Sequence, residues 1–537
     1  MTASMGSGGR ILIKGAEVAD GTGGPVARQD ILLSGGRIEA SGPPGAYDSA
    51  DCQVIVASGL VVAPGFIDVH SHADNAPLLD DDDTSKILQG VTTEVTGNCG
   101  FSLAPVDPAH DGLLASFASR LFPPLGYRWR SFADFLRATD ARGYVTNYAP
   151  LVGHGTLRLA VLGMADRQPD GGELDRMGRL LGEALDAGAF GMSTGLIYPP
   201  GVFAATSEII ELAKRLRGGR MYATHMRGEG AGLLASVDEA VAIGAGAGCR
   251  VEISHLKASG RQNWGSAGAA LERLDRARRD GVAVTHDVYP YDRASTILTT
   301  CLPPWFQEGG DAAVLARLDD PAALDRARAE MEDPHAPGWD SALAGAGYGG
   351  ILISSTASHR FEGQTLAEIA GELGTDGFGA FTHVLRAEKL RVSMVIASMS
   401  EPDVETVLAH PSTMIGSDGL PPGTGGRPHP RMFGTFPRVL RRYVRERGVL
   451  GLPEAIHRMT GLPADTFGIP GRGRVAPGAV ADLVAFDPRR ITDVCDYRDP
   501  VHPPSGIAWV MQAGRFAVRD GRWLGTRLGT RLEPAPR

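Results

Sequence analysis

The chain has 537 residues, 43% of them hydrophobic and 21% charged, and a net charge of -9. This is a globular composition with length enough for a large core, and an acidic balance without a lysine and arginine run argues against a nucleic-acid partner. Five scattered cysteines form no CxxC pair and no run of about 18 apolar residues occurs, so neither a disulfide framework nor a membrane span is expected, and a cytoplasmic location is.

Residues 1–9 are small and polar and are expected to be disordered. Apolar runs split by Gly, Asp and Ser turns predict short strands at 10–14, 30–34, 37–40 and 53–57. The pattern then changes. Strand-like runs at 65–70, 92–96, 145–152, 190–193, 221–225, 250–255, 283–287 and 414–417 alternate with helical periodicity, as at 173–187, 206–216, 235–243 and 268–279. Eight strands alternating with helices predict an α/β fold, a (β/α)8 TIM-type barrel, with its active site at the C-terminal ends of the strands.

Between 298 and 348 the alternation breaks around Pro303, Pro304 and Trp305, and Asp320 before Pro321 predicts a capped helix over 321–332. The stretch reads as an insertion before the last barrel strand, of the kind that forms lids or pocket walls. Arg438, Arg441, Arg442, Arg445 and Arg447 read as the solvated face of a helix. Strands return at 473–475, 482–486, 507–513 and 515–518. The two strand-rich ends predict one small β-sandwich domain, residues 1–62 and 470–537, beside a barrel domain of residues 63–469. The stretch 525–532 repeats Gly-Thr-Arg-Leu and reads as a frayed end or as an arm on a neighbouring subunit of a homo-oligomer, the frayed end being the simpler reading.

The sharpest local feature is the apolar run from Pro64 that ends in His70-Ser71-His72. Residues two apart on a strand point the same way, so both imidazoles can meet one metal ion. Taken alone, His-x-His also describes two surface histidines. Four further candidates stand at strand ends: Cys99 in Gly97-Asn98-Cys99-Gly100, His225 before Met226-Arg227, His255 before Leu256-Lys257, and Asp418 in Gly416-Ser417-Asp418-Gly419. Each has a bland reading singly: a small buried hydrophobe, a hydrogen-bonding imidazole or a turn aspartate. Jointly they fall where a barrel would bring them together, and thiolate, neutral imidazole and carboxylate make a good zinc set.

Nearly the whole chain resembles the amidohydrolase superfamily and, within it, the D-aminoacylase (N-acyl-D-amino-acid deacylase) family. The resemblance runs through GFIDVHSHAD at 65–74, GVTTEVTGNCGFS at 90–102, GHGTLR at 153–158, GMSTGLIYPPG at 191–201, THMRGEG at 224–230 and ISHLKASG at 253–260. It continues through DVYPYDRAST at 287–296, GSDG at 416–419, HPRMFGTFPRVL at 429–440 and GRGRVAPGAVADLVAFDP at 471–488. It implies one tightly held zinc at Cys99, His225 and His255 and a second, weaker site near His70, His72 and Asp418, which Cys99 can bridge. It implies zinc-dependent hydrolysis of small-molecule N-acyl-D-amino acids.

Amide hydrolysis needs an activated water and a protonated leaving amine, and Asp418 is the candidate for both proton steps. Lys257, Arg431, Tyr289 and Ser295 are candidates to hold the substrate carboxylate, and Tyr198 to orient the scissile carbonyl. The wall after Ser295 carries no basic residue through Trp305, which predicts apolar D-side chains; Arg293 lies close enough to enter the pocket and counts against that. The competing readings are a cyclic amide hydrolase of hydantoinase or dihydroorotase type and an inactive amidohydrolase-like scaffold. A set of residues suited to a linear substrate's carboxylate disfavours the first, and retention of every ligand and the proton shuttle disfavours the second.

Overall fold

The computed structural model describes residues 9–119, 122, 126, 128–336, 338–420 and 426–535. Of the expected disordered start, residues 1–8 lie outside the described residues.

Both ends of the chain enter one sheet, with nine strands among the described residues. Arg10–Val18 pairs antiparallel with Ala27–Ser34 and parallel with Cys52–Val56 and Val61–Pro64. Val61–Pro64 then takes Leu483–Phe486 as its antiparallel neighbour, so the N-terminal strands are completed by the C-terminal ones. The sheet curls back until Arg37 bridges Val480, enclosing a core of Ile13, Val18, Ile31, Leu33, Val62, Leu483 and Met511. The expected strand at 473–475 does not form; Val475 instead hooks its N–H onto the Asp20 carbonyl at 2.9 Å.

The middle of the chain forms the barrel. Among the described residues its strands are Phe66–Asp68, Val91–Thr96, Asn147–Pro150 continued by Val152–Gly153, Gly191–Gly195, Met221–His225, Arg250–Ile253, Val284–Val288 and Thr413–Ile415. All neighbouring pairs are parallel, and most positions are buried, as expected where helices cover the outside. Among the described residues, closure between the first and last strands rests on a single bridge, Ser71 to Gly419. The helices follow their apolar periodicity. Gly171–Asp186 starts at a capping box of Asp170 and Glu173 and buries Met177, Leu181, Ala184 and Leu185 on one face.

The expected insertion at 298–348 lies inside a longer excursion. Arg293–Ile297, Ile351–Thr356 and Val392–Ala397 form an antiparallel sheet, and helices such as Pro321–Glu332, Leu366–Leu373 and Gly377–Ala387 accompany it. Leu298, Phe306, Leu318, Ile353, Phe381 and Met394 give this unit its own core. Asp320 does cap the helix over 321–332, accepting from the Ala322 N–H at 3.0 Å with Pro321 in the first turn.

Two surface expectations are corrected. The arginine stretch is a set of ties rather than a free solvated face: Arg438 and Arg441 pair with Asp493, Arg442 with Glu401 and Arg447 with Glu405. The tail is not frayed over its described part. Gly529 and Leu532 donate to the Tyr144 and Tyr148 carbonyls at 2.9 and 2.8 Å, Arg531 pairs with Asp140, and Leu532 is buried against the barrel.

Candidate metal centre

The six expected ligands converge at the C-terminal ends of the barrel strands. Two overlapping groups form, His70, His72, Cys99 and Asp418, and Cys99, His225 and His255, with donor atoms in each group within 4.8 Å of one another. Cys99 is common to both. Its Sγ lies 3.3 Å from His70 Nε2, 3.7 Å from His225 Nδ1 and 3.6 Å from His255 Nε2. Asp418 Oδ1 lies 3.1 Å from His72 Nε2 and 3.5 Å from His70 Nε2.

Local backbone geometry explains why these residues reach inward. Cys99, His255 and Asp418 all adopt positive φ, at 54°, 36° and 51°. Non-glycine residues take that conformation rarely, and it turns each side chain off its strand axis toward the barrel mouth. Around Cys99 the turn needs glycine on both sides. A Cβ at Gly97 would stand 2.1 Å from the Leu151 carbonyl oxygen, and one at Gly100 would stand 2.5 Å from the Gly195 nitrogen.

The donor spacing fits a zinc ion. Zinc–sulfur and zinc–nitrogen bonds at a tetrahedral angle put sulfur and nitrogen about 3.6 Å apart, and Cys99 keeps 3.6 to 3.7 Å from His255 and His225. The electrostatics agree. Burial opposes ionisation of the Cys99 thiol, but His70 and the hydrogen bonds from His225, His255 and His70 hold it well below its usual range. Burial pulls the His70 imidazole down, yet Asp287, Cys99 and Asp418 raise it well above its usual range. Burial likewise opposes charge on Asp418, while Arg431, His70 and the His72 bond keep its carboxyl well below the carboxylate range. Without a metal, the ionised thiol and carboxyl are balanced by imidazoles that hold their protons, and a divalent cation bound there would take the place of those protons.

Behind these six candidate ligands stand groups that the sequence reading did not assign to the site. Asp287 accepts from the His255 N–H at 2.9 Å and faces His70 Nδ1 at 3.3 Å. Glu229 reaches the outer nitrogens of two candidate ligands, His255 Nδ1 at 3.0 Å and His225 Nε2 at 3.7 Å. Carboxylates of this kind fix a ligand imidazole's tautomer and orientation. Their signal was present in the sequence, four residues after His225 and at the end of the seventh strand, but acidic residues there read equally well as exposed.

Of the other expected residues, Tyr198, Lys257, Tyr289 and Ser295 line a cavity of about 360 Å³ together with His225 and Asp418, and Arg431 lines an adjoining pocket with Tyr198, Ser295 and Asp418. The Lys257 ammonium lies 2.6 Å from Glu229 and 2.7 Å from His255 Nδ1. Arg431, 2% exposed, puts Nη1 2.9 Å from Asp418 Oδ2, an ion-pair distance without hydrogen-bond alignment, and donates from Nη2 to the Ser295 carbonyl. The Tyr289 hydroxyl is buried with no hydrogen-bond partner among the described residues. Tyr198 bonds Thr296 at 3.0 Å and meets the His225 ring edge-on. Arg293 does not line this cavity; its guanidinium stacks over Tyr497 at 4.8 Å. The far wall comes from the inserted unit, through Leu302, Trp339, Met394 and Ile396.

Comparison with known proteins gives the same direction. The family model described as "Amidohydrolase family" matches residues 53–302 and 307–515. The chain is 38% identical to an N-acyl-D-aspartate deacylase of Alcaligenes xylosoxydans xylosoxydans, over 97% of this chain and 95% of that one. It is also 38% identical to a D-aminoacylase of the same organism, over 97% and 96%. Among solved structures, an N-acyl-D-glutamate deacylase from Bordetella bronchiseptica, in complex with zinc and a phosphonate inhibitor, superposes with a TM-score of 0.80 at 36% identity, covering 97% of this chain and 99% of that one.

Proposed function

The chain belongs to the amidohydrolase family, and on that premise we propose that it hydrolyses N-acyl-D-amino acids to a carboxylate and the free D-amino acid. The observation that carries the reading is the shared Cys99, whose thiol lies within 3.7 Å of three imidazoles, two of which, His225 and His255, line a cavity that also presents cations and hydroxyls. In this reading Cys99, His225 and His255 hold one zinc tightly and His70, His72 and Asp418 hold a second more weakly. Zinc bound there polarises the scissile carbonyl and makes a water acidic at neutral pH.

The protein's own groups supply the rest. Asp418, held by Arg431 and His72, takes the proton from the attacking water and passes it to the amine nitrogen as the C–N bond breaks. Tyr198 aligns the scissile carbonyl from the cavity wall. Lys257, Arg431, Tyr289 and Ser295 hold the α-carboxylate, and a carboxylate gives the Tyr289 hydroxyl the partner it lacks. The inserted unit's wall shields the site from bulk water, which strengthens each of these contacts.

We propose further that the side chain accepted is apolar. Relatives at 38% identity include one named for D-aspartate and one named only D-aminoacylase, so identity does not decide. The cations around the site support the apolar reading: Lys257 is paired with Glu229, Arg431 with Asp418 and Arg227 with Glu239. With Lys257 and Arg431 engaged by the α-carboxylate and Arg227 by Glu239, a second carboxylate on the substrate would be buried without a further cation to meet it. With the zinc-loaded protein we expect turnover of N-acetyl-D-leucine but not its L enantiomer, and a kcat/KM at least about tenfold above N-acetyl-D-glutamate. A preference for the D-glutamate compound would overturn the side-chain reading alone. Turnover of a hydantoin and no linear amide would overturn the reaction class.

All five cysteines are free, and among the described residues no helix is long and apolar enough to cross a membrane. We propose a cytoplasmic location on the reduced cysteines; recovery in a periplasmic or secreted fraction would contradict it.

A further inference from the structure

We propose that Lys86 is a positioning residue, a buried ammonium that clamps the seam between the first and last barrel strands and so shapes the His70–His72–Asp418 half of the centre. The inference rests on the reading above that these three residues hold a metal.

Lys86 is 2% exposed, far below what a lysine ordinarily tolerates. Its Nζ lies 3.4 Å from Asp68 Oδ2, 3.4 Å from Glu94 Oε2 and 3.4 Å from Ser71 Oγ. Asp68 spends its remaining capacity on the metal-bearing turns, and Glu94 divides its own between Ser71 and the Thr146 hydroxyl, which donates to it at 2.7 Å. Asp68 accepts from the Ser417 N–H at 2.8 Å, the Ser417 hydroxyl at 2.5 Å and the His70 N–H at 3.2 Å. Glu94 accepts from the Ser71 hydroxyl at 2.6 Å. Every hydrogen bond Asp68 receives therefore ends one residue from, or on, a proposed ligand, and Ser71 stands between His70 and His72.

The location matters because backbone pairing is thin here. Elsewhere around the barrel neighbouring strands share ladders, whereas this seam has one bridge, Ser71 to Gly419, flanked by Asp418 N–H to the His70 carbonyl at 2.7 Å and His72 N–H to the Gly419 carbonyl at 3.0 Å. Side chains supply the rigidity that a ladder supplies for Cys99, His225 and His255. Without the ammonium, Asp68 and Glu94 are two buried carboxylates repelling each other, and the turns they grip separate.

The test is a zinc titration of the metal-free Lys86→Met protein by calorimetry, with Lys86→Arg as the conservative partner. In Lys86→Met we expect the tighter affinity to stay within about threefold of wild type while the weaker one falls about 10- to 100-fold, the size typical of supports behind ligands. Lys86→Arg should recover part of that loss. Cobalt substituted at the tight site should keep its thiolate charge-transfer band, and kcat should fall with little change in KM. A weaker-site affinity within about threefold of wild type overturns the proposal, as does a wild-type protein that takes up one ion only. If Lys86→Met does not fold, Ser417→Ala removes the Asp68 grip on the last strand without burying a charge, and the same loss of the weaker affinity is expected. The titration needs no substrate, so failure to hydrolyse acyl amino acids leaves it intact.

Discussion

Cys99, His225 and His255 hang from strands whose neighbours pair residue by residue, as Gly191–Gly195 does with Met221–His225. His70, His72 and Asp418 hang from a seam joined by one bridge and a buried Asp68–Lys86–Glu94 cluster. The two halves share one sulfur and differ in what holds them. The difference gives a physical reason for one metal to be held more tightly than the other, since preorganised ligands bind without the cost of ordering them.

Cys99→Ala removes what the halves share and should have the largest effect, roughly a 10³-fold or greater loss of kcat/KM with loss of bound zinc by elemental analysis. Retention of both metals would break the picture of a shared thiolate. Asp418→Asn should lower kcat about 10³-fold yet leave zinc at Cys99, His225 and His255, because those three donors do not depend on it. A loss under about tenfold would remove Asp418 from the proton steps. Glu229→Gln sharpens the contrast from the other side. It weakens the support behind His225 and His255, so the tighter zinc affinity should fall about 10- to 100-fold while the weaker is spared. The smallest effect is a control: Asp170→Ala deletes an exposed helix cap that bonds Glu173 and should cost about 1 kcal/mol in unfolding, with both affinities unchanged.

The same contrast marks what could be read from the chain. The barrel strands were legible because most are short apolar runs ending in or just before a chemically distinctive residue, and the six candidate ligands stand out at those ends. The inserted unit was only partly legible. Its strands at Ile351–Thr356 and Val392–Ala397 end in nothing distinctive, and their pairing with Arg293–Ile297 joins segments far apart in sequence. Lys86, Asp68, Glu94, Glu229 and Asp287 were passed over for another reason. A charged side chain reads as exposed until folding shows the partner that buries it. The tail at 525–532 misled in the same way, since its repeat of small and basic residues gives no sign of the Tyr144 and Tyr148 carbonyls it docks on.

The most direct test of the central claim is to strip the purified protein with a chelator and follow amine release from N-acetyl-D-leucine as zinc is added back. The account predicts activity below about 1% of the starting value in the stripped protein, recovered with the first equivalent of zinc and absent for the L enantiomer. Full activity in the stripped protein, or zinc uptake that restores no hydrolysis of any N-acyl-D-amino acid, would contradict it.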